Sequence, residues 1–100
     1  MSHDVIAYKT QNNQPDEENE IHSFNRTSGS EEIMELYRAL DALDLCGSPP
    51  FSGIGGRMFT NDQLVLALER LEKSKIDVNR EMEFIRACIN TGATVYIEFC

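Results

Sequence analysis

The sequence predicts a single α+β domain in which a small sheet of two or three strands packs against three helices on one face. A chain of 100 residues has room for one hydrophobic core. Apolar residues recur at helical spacing in three central segments, and both chain ends show the composition or the alternation of strands. The predicted order is β-β-α-α-α-β, with the sheet formed from both chain ends and residues 1–100 as one domain.

The N-terminal segment is predicted as a loose hairpin. Residues 4–10 combine β-branched and aromatic side chains, a composition typical of strands. Residues 11–19 contain Pro15, several acids and no large apolar side chain, so we expect a mobile loop there. A second strand over residues 21–26 then returns beside the first.

The first helix is predicted over residues 31–45. Ser28 or Ser30 can cap it, and Ser28 with Glu31 has the spacing of a capping box. Its apolar face is formed by Ile33, Leu36, Tyr37, Leu40 and Leu43. Asp44 interrupts that face, so either the helix has ended before it or its carboxylate bonds to the neighbouring loop.

The second helix has a well-specified start. Thr60 and Gln63 form a T-x-x-Q capping box, and Phe59 and Leu64 occupy the positions of a hydrophobic staple. We expect this helix to end near residues 74–75. Leu66 lies outside its apolar face, almost opposite to it.

The third helix is predicted to begin near Asn79 and to end by Gly92, which suits the left-handed position after a last turn. Its apolar stripe consists of Val78, Met82, Ile85 and Ile89. Phe84 and Cys88 widen this stripe, so the helix is either central in the domain or packed on a partner. Residues 94–99 then alternate in polarity and form the clearest predicted strand, which can pair with the first.

Residues 46–59 are rich in glycine and proline and raise the question of a phosphate-binding loop. The segment follows a helix rather than a strand and lacks Gly-Lys-Ser/Thr, so it does not fit a nucleotide-binding loop of the Walker type. The dinucleotide pattern also fails, because Phe59 stands where its third glycine is needed. Either the segment is a plain connection, or it binds an anion near the next helix. The candidate ligand residues are Asp44, Gly53, Gly55, Gly56 and Arg57.

Residues for catalysis or metal binding are sparse. The two histidines are His3, expected at a fraying terminus, and His22, and neither has a spacing that predicts a nucleophile beside it. The three cysteines fit neither a disulfide framework nor a zinc site, so we expect reduced thiols. We therefore expect no catalytic residues, no metal and no cofactor, and a protein that is not an enzyme.

The net charge of −8 restricts the class of partner. It opposes binding to nucleic acid, because basic residues are not clustered in the sequence. The apolar runs are too short for a membrane span, and the first residues lack the pattern of a signal peptide, so a cytoplasmic protein is expected. The acidity either serves solubility alone or favours a partner with a positive surface.

Two hypotheses of function follow. The first is a small, non-catalytic interaction protein, such as an accessory protein, an inhibitor or an immunity-like protein, which binds a protein partner through its acidic surface and residues 48–58. The second is a small-ligand or anion-binding domain with its site around Arg57. We also expect a homodimer, because four apolar residues are more than one small core can use. The predicted interface residues are Leu66, Phe84, Cys88 and Tyr96.

Overall fold

The computed structural model describes residues 2–49, 51 and 53–100. It shows an α+β fold, as the sequence predicts, with three α-helices and four strands in the described ranges. The elements are β1 Ser2–Gln11, β2 Gln14–Thr27, α1 Glu31–Ala39, β3 Gly55–Phe59, α2 Asn61–Glu72, α3 Asn79–Ile89 and β4 Val95–Phe99, with a 3₁₀ turn at Leu43–Leu45.

The sheet has the order β2-β1-β4-β3, and all neighbouring strands are antiparallel. The two terminal strands pair with each other, from Val5 opposite Phe99 to Lys9 opposite Val95. Their pairing confirms that strands from both chain ends join in one sheet, although the sheet also includes β3 from the middle of the chain. The predicted count of two or three strands is wrong, since the sheet has four.

The missed strand is β3, which lies inside the segment predicted as a loop over residues 46–59. Its sequence begins with two glycines, which have low strand propensity and no side chain to show alternation. It becomes a strand by pairing with β4, from Gly55 opposite Phe99 to Phe59 opposite Val95. This pairing joins residues about forty positions apart, which local sequence patterns do not report.

The hairpin of β1 and β2 is tighter than predicted. Asn12 and Asn13 form its turn with φ angles of 54° and 62°, in the left-handed region that asparagine tolerates and that hairpin turns favour. Residues 14–19 continue β2 instead of forming the predicted loop. Pairing irregularities between Ala7 and Thr10 bend this part of the hairpin.

Helix α1 is shorter than predicted. Ser30 caps it by accepting a hydrogen bond from the amide of Ile33 at 3.4 Å, so the predicted capping box at Ser28 is wrong. Asp41 has a φ of 54°, which ends the helical path before the 3₁₀ turn. Leu43 and Asp44 therefore lie outside α1, and Leu43 is exposed rather than buried.

Helix α2 begins with the predicted capping box. The amide of Gln63 donates to Oγ1 of Thr60 at 3.3 Å, and the amide of Thr60 donates to Oε1 of Gln63 at 2.8 Å. Helix α3 is followed by Gly92 at a φ of 68°, as the sequence predicts.

The core lies between the helices and one face of the sheet. Strands β1 and β4 bury alternate residues, from Val5 and Ala7 to Val95, Ile97 and Phe99. Among the described residues, no helix packs against the other face of the sheet, and the side chains on that face are partly buried or exposed. Helix α3 buries its widened side, with Glu81, Phe84, Ile85 and Cys88 against the core, whereas Met82 and Ile89 are only partly buried.

Candidate functional site

The structure places the two charged residues of the predicted ligand site in contact with each other. Arg57 donates a hydrogen bond from Nη2 to Oδ2 of Asp44, and both side chains are exposed. This bond, with the charge of Arg57, keeps the pKa of Asp44 below its usual value. The cation expected to attract an anion is therefore already neutralised by a carboxylate of the same chain.

The glycines of the same segment allow close packing. A side chain at Gly53 would overlap the backbone of Phe99, and one at Gly56 would overlap the hydroxyl of Tyr96. Gly55 has a φ of 149°, a backbone conformation that other residues rarely adopt. These positions need glycine for the packing and path of β3, whether or not a ligand binds there.

His3 is fully buried, in contrast to the frayed position that the sequence predicts. The amide of Gly53 donates to its Nδ1 at 3.0 Å, and its Nε2 lies 2.8 Å from the hydroxyl of Tyr37. Because Nδ1 accepts, the proton lies on Nε2, which donates to Tyr37. Burial lowers the pKa of His3, and the charge of Asp4 opposes this only in part. Neutral His3 thus links the segment before β3 to helix α1.

The thiols show no sign of nucleophilic activation. Burial raises the pKa of Cys88 to about 12 and also raises the pKa of Cys46, so both remain protonated at neutral pH. Hydrogen bonds between a histidine and a thiol are not found in the described residues. The same residues contain no group of three or more His, Cys, Asp or Glu that could hold a metal ion.

A cleft of about 400 Å³ lies between the end of β1 and the end of α3. Lys9 and Asn90 line it, and Thr10 in its wall donates a hydrogen bond to the carbonyl of Thr94 at 3.0 Å. The carbonyl end of α3 carries a partial negative charge, which counteracts the attraction of Lys9 for an anion. The cleft therefore lacks the convergent charges of a specific ligand site.

The helix-free side of the sheet is a continuous surface that spans all four strands. Strand register aligns two rows of side chains across it. One row contains Glu20, Tyr8, Tyr96 and Met58, and the next contains Ser23, Ile6, Glu98 and Gly56. We call these eight residues the open sheet face. Tyr8, Tyr96, Ile6 and Met58 give it a partly exposed apolar centre.

The open sheet face is acidic. The pKa of Tyr8 is raised, first by burial and then by the charges of Glu98, Glu17 and Glu20 around it. The chain has nine Lys and Arg residues, and all of them lie in the described ranges but none on this face. Arg26, Arg57 and Lys9 belong to the inner side of the sheet, and the other six lie on helices or their connections.

This charge separation could not be read from the sequence. The alternation of Tyr96 and Glu98 with buried residues shows that β4 has one mixed face. It does not show which other strands extend that face, because the register of β1 and β3 against β4 depends on long-range pairing.

The four residues predicted as a dimer interface lie in different places. Phe84 and Cys88 are fully buried in the core of the single chain. Tyr96 lies on the open sheet face, and Leu66 is 43% exposed on α2, on the opposite side of the sheet. The structure therefore does not bring these four side chains together on one surface.

In the ranges that the structure describes, α-helices are too short and too polar to span a lipid bilayer. Comparison of the chain with protein-family models, with curated proteins and with solved structures gives no match.

Proposed function

We propose that this chain is a non-catalytic interaction protein whose open sheet face binds a positively charged surface of a protein partner. The observation that carries the proposal is the separation of charge: Glu20 and Glu98 lie on this face, whereas every Lys and Arg lies elsewhere. A cationic surface would meet complementary charge here without repulsion from a local base.

The side chains between these acids fit the same kind of partner. Tyr8 and Tyr96 are cross-strand neighbours, so each contributes an aromatic side chain to the open sheet face. A Lys or Arg side chain of a partner can lie against such a ring while its charged group reaches Glu20 or Glu98. Ile6 and Met58 add apolar contact beside the rings.

Nucleic acid is disfavoured as the partner by the same arrangement. Aromatic side chains on a sheet can stack on bases, but binding also needs cations that neutralise phosphates. Glu98 and Glu20 would instead repel phosphates at this face. The proposed partner is therefore a protein with exposed Lys and Arg.

Charge reversal at matched positions tests the proposal. The open-face variant carries Glu20→Lys and Glu98→Lys, and the control carries Glu69→Lys and Glu83→Lys on exposed helix positions. Both variants change the net charge equally, so a general charge effect would act on both. The measurement is affinity capture from a lysate of the source cells, with each variant's fold checked by circular dichroism.

The wild type and the helix control should capture the same proteins. We expect the open-face variant to lose these proteins. A titration of the wild type with an arginine-rich decapeptide, followed by NMR, should shift Tyr8 and Tyr96 first. Equal loss of capture in both variants, or shifts confined to the helices, would contradict the proposal.

The competing hypothesis of an anion site at Arg57 requires the anion to displace the carboxylate of Asp44. An Asp44→Asn variant removes that competitor. If thermal denaturation with phosphate or citrate shows stabilisation that increases in this variant, the anion site gains support over the open sheet face.

A further inference from the structure

Strand β3 forms one edge of the sheet. The direction of its backbone groups follows from the hydrogen bonds between β4 and β1, because β4 lies between β1 and β3. Cys100 and Asp4 exchange two backbone hydrogen bonds, of 2.8 and 2.9 Å. Backbone groups alternate sides along a strand. The groups of Cys100 point to β1, so those of Ile97, three positions before Cys100, point to β3. Its register partner is Arg57, whose amide and carbonyl therefore face β4.

By the same alternation, Gly56 and Met58 direct their amides and carbonyls away from the sheet. Neither residue makes a backbone hydrogen bond beyond the strand ladders in the described part of the chain. The segment before β3 bends back at Ile54, whose amide donates to Leu45 at 3.1 Å. Four strongly polar groups thus remain at the outer edge of β3, available to another strand.

The opposite edge of the sheet is protected against such pairing. Strand β2 carries Asp16, Glu17 and Glu18 along its outer part, and its pairing with β1 is irregular. Charges and bulges of this kind are common features that keep edge strands from associating. The single charged residue of β3 is Arg57, which is neutralised by Asp44.

We propose that β3 pairs with β3 of a second copy of this chain, antiparallel and around a two-fold axis at Arg57. In this register Gly56 lies opposite Met58 of the second copy, and Met58 lies opposite its Gly56. All of the outward amides and carbonyls of both strands are then used in four hydrogen bonds. A register with Gly56 opposite Gly56 would instead place Met58 opposite Ile54, whose amide is already bonded.

The side chains in this register are complementary. Gly56 has no side chain, and the hydroxyl of Tyr96 lies where its Cβ would be. Met58 of the second copy, directly opposite Gly56, would therefore lie beside the ring of Tyr96. Methionine adapts its shape to irregular surfaces and makes favourable contacts with aromatic rings.

The exposed apolar residues are distributed on both sides of β3. Among the described residues, the exposed large hydrophobic side chains are Leu43, Phe51, Ile54, Val65 and Leu66. The first three precede β3, and the last two belong to α2, which begins shortly after it. An antiparallel two-fold arrangement places the start of one β3 beside the end of the other, so the segment before β3 of one copy lies near the residues that follow β3 in the second copy.

The charges also permit this arrangement. The two open sheet faces lie side by side in one eight-stranded sheet, so their acids are not stacked against each other. The two-fold axis brings two Arg57–Asp44 pairs together, in which each cation has a carboxylate beside it. The assembly does not depend on the proposed binding of a basic partner, and its failure would leave that function untouched.

A pair of proline variants tests the assembly. Met58→Pro removes an outward amide of β3, which the single chain does not use, so the monomer fold should tolerate it. The control is Ser23→Pro, because Ser23 pairs with Ile6 and its amide points outward from β2. We expect analytical ultracentrifugation to show a dimer for the wild type and for Ser23→Pro. Met58→Pro should raise the dissociation constant ~30-fold or more, because each dimer loses two hydrogen bonds.

Hydrogen exchange of the wild type gives a readout that does not depend on how the variants fold. The amides of Gly56 and Met58 should be protected at high protein concentration and exchange faster on dilution. A monomeric wild type at ~100 µM would overturn the proposal. So would a dimer that Met58→Pro leaves intact, or fast exchange of these two amides at every concentration.

Discussion

The guanidinium of Arg26 and the carboxylate of Glu81 form a two-point ion pair between β2 and α3. Nε donates to Oε2 at 2.8 Å and Nη2 donates to Oε1 at 2.9 Å. The side chain of Glu81 is fully buried, whereas that of Arg26 is 20% exposed. The hydrogen bonding of Arg26 to the carboxylate of Glu81 is the main reason why the pKa of Arg26 is raised. This pair orients the first turn of α3 on the hairpin of β1 and β2.

Removal of one partner should have unequal effects. Arg26→Met leaves the buried carboxylate of Glu81 without its cation, so we expect the free energy of unfolding to fall by ~3 kcal/mol or more. Glu81→Met should cost less, because the partly exposed Arg26 can turn toward water. Urea denaturation measures both, and the double variant should regain part of the loss. Equal losses of unfolding free energy in the two single variants would contradict the prediction, which rests on the greater burial of Glu81.

Protonation of His3 should destabilise the fold in mildly acidic solution. Burial lowers the pKa of His3, so at pH values just below ~6.5 the unfolded chain binds a proton that the folded chain does not. The free energy of unfolding should therefore decrease as pH falls below this value, by at most ~1.4 kcal/mol per pH unit from this group.

Thermal or urea denaturation between pH 5 and pH 8 tests the role of His3. The His3→Gln variant should lose this part of the pH dependence. His22→Gln is the control, since His22 is not fully buried and makes no hydrogen bond like those of His3 within the described residues. A His3→Gln variant with the full wild-type slope would contradict the prediction.

Substitution of Gly53 should be more damaging than substitution of Gly92. A Cβ at Gly53 would overlap backbone atoms of Phe99, which rotation of a side chain cannot relieve. We expect Gly53→Ala to lower stability by ~3 kcal/mol. A Cβ at Gly92 meets no atom of the described residues within 4 Å, so Gly92→Ala carries only the strain of its φ of 68°, which costs ~1 kcal/mol. Parallel urea melts compare the two variants.

The three cysteines should differ in reactivity toward iodoacetamide. Cys100 is exposed, whereas Cys46 and Cys88 are buried. We expect mass spectrometry to find one modified thiol per folded chain and three after unfolding in urea. Partial burial, together with the charges of Glu98 and Asp4, raises the pKa of Cys100, so its modification should be slower than that of free cysteine. Rapid modification of Cys88 in the folded protein would show that α3 opens locally.

Much of the fold follows from local patterns. The capping box of Thr60 and Gln63, the left-handed Gly92 and the alternation of β4 involve residues close in sequence. Short-range hydrogen bonds and side-chain periodicity decide such features, so the sequence predicts them well.

The wrong predictions from the sequence concern residues whose environment depends on distant parts of the chain. His3 is buried because Tyr37 and the amide of Gly53 both bond to its ring, although it stands near the chain terminus. Phe84 and Cys88 are central in the core because the long hairpin covers that side of α3. The residues close in sequence to His3, or to Phe84 and Cys88, do not indicate these environments.

By itself, the sequence determined the class of the fold, the acidic charge, the positions of the helices and the strand at the end of the chain. The tertiary structure alone decided that Gly55–Phe59 is an edge strand, that Arg57 is neutralised by Asp44, and that the bases lie off the open sheet face. The physical reason is the range of the interactions. Caps and periodicity act within a few residues, whereas strand register and the pairing of charges bring together residues far apart in the chain.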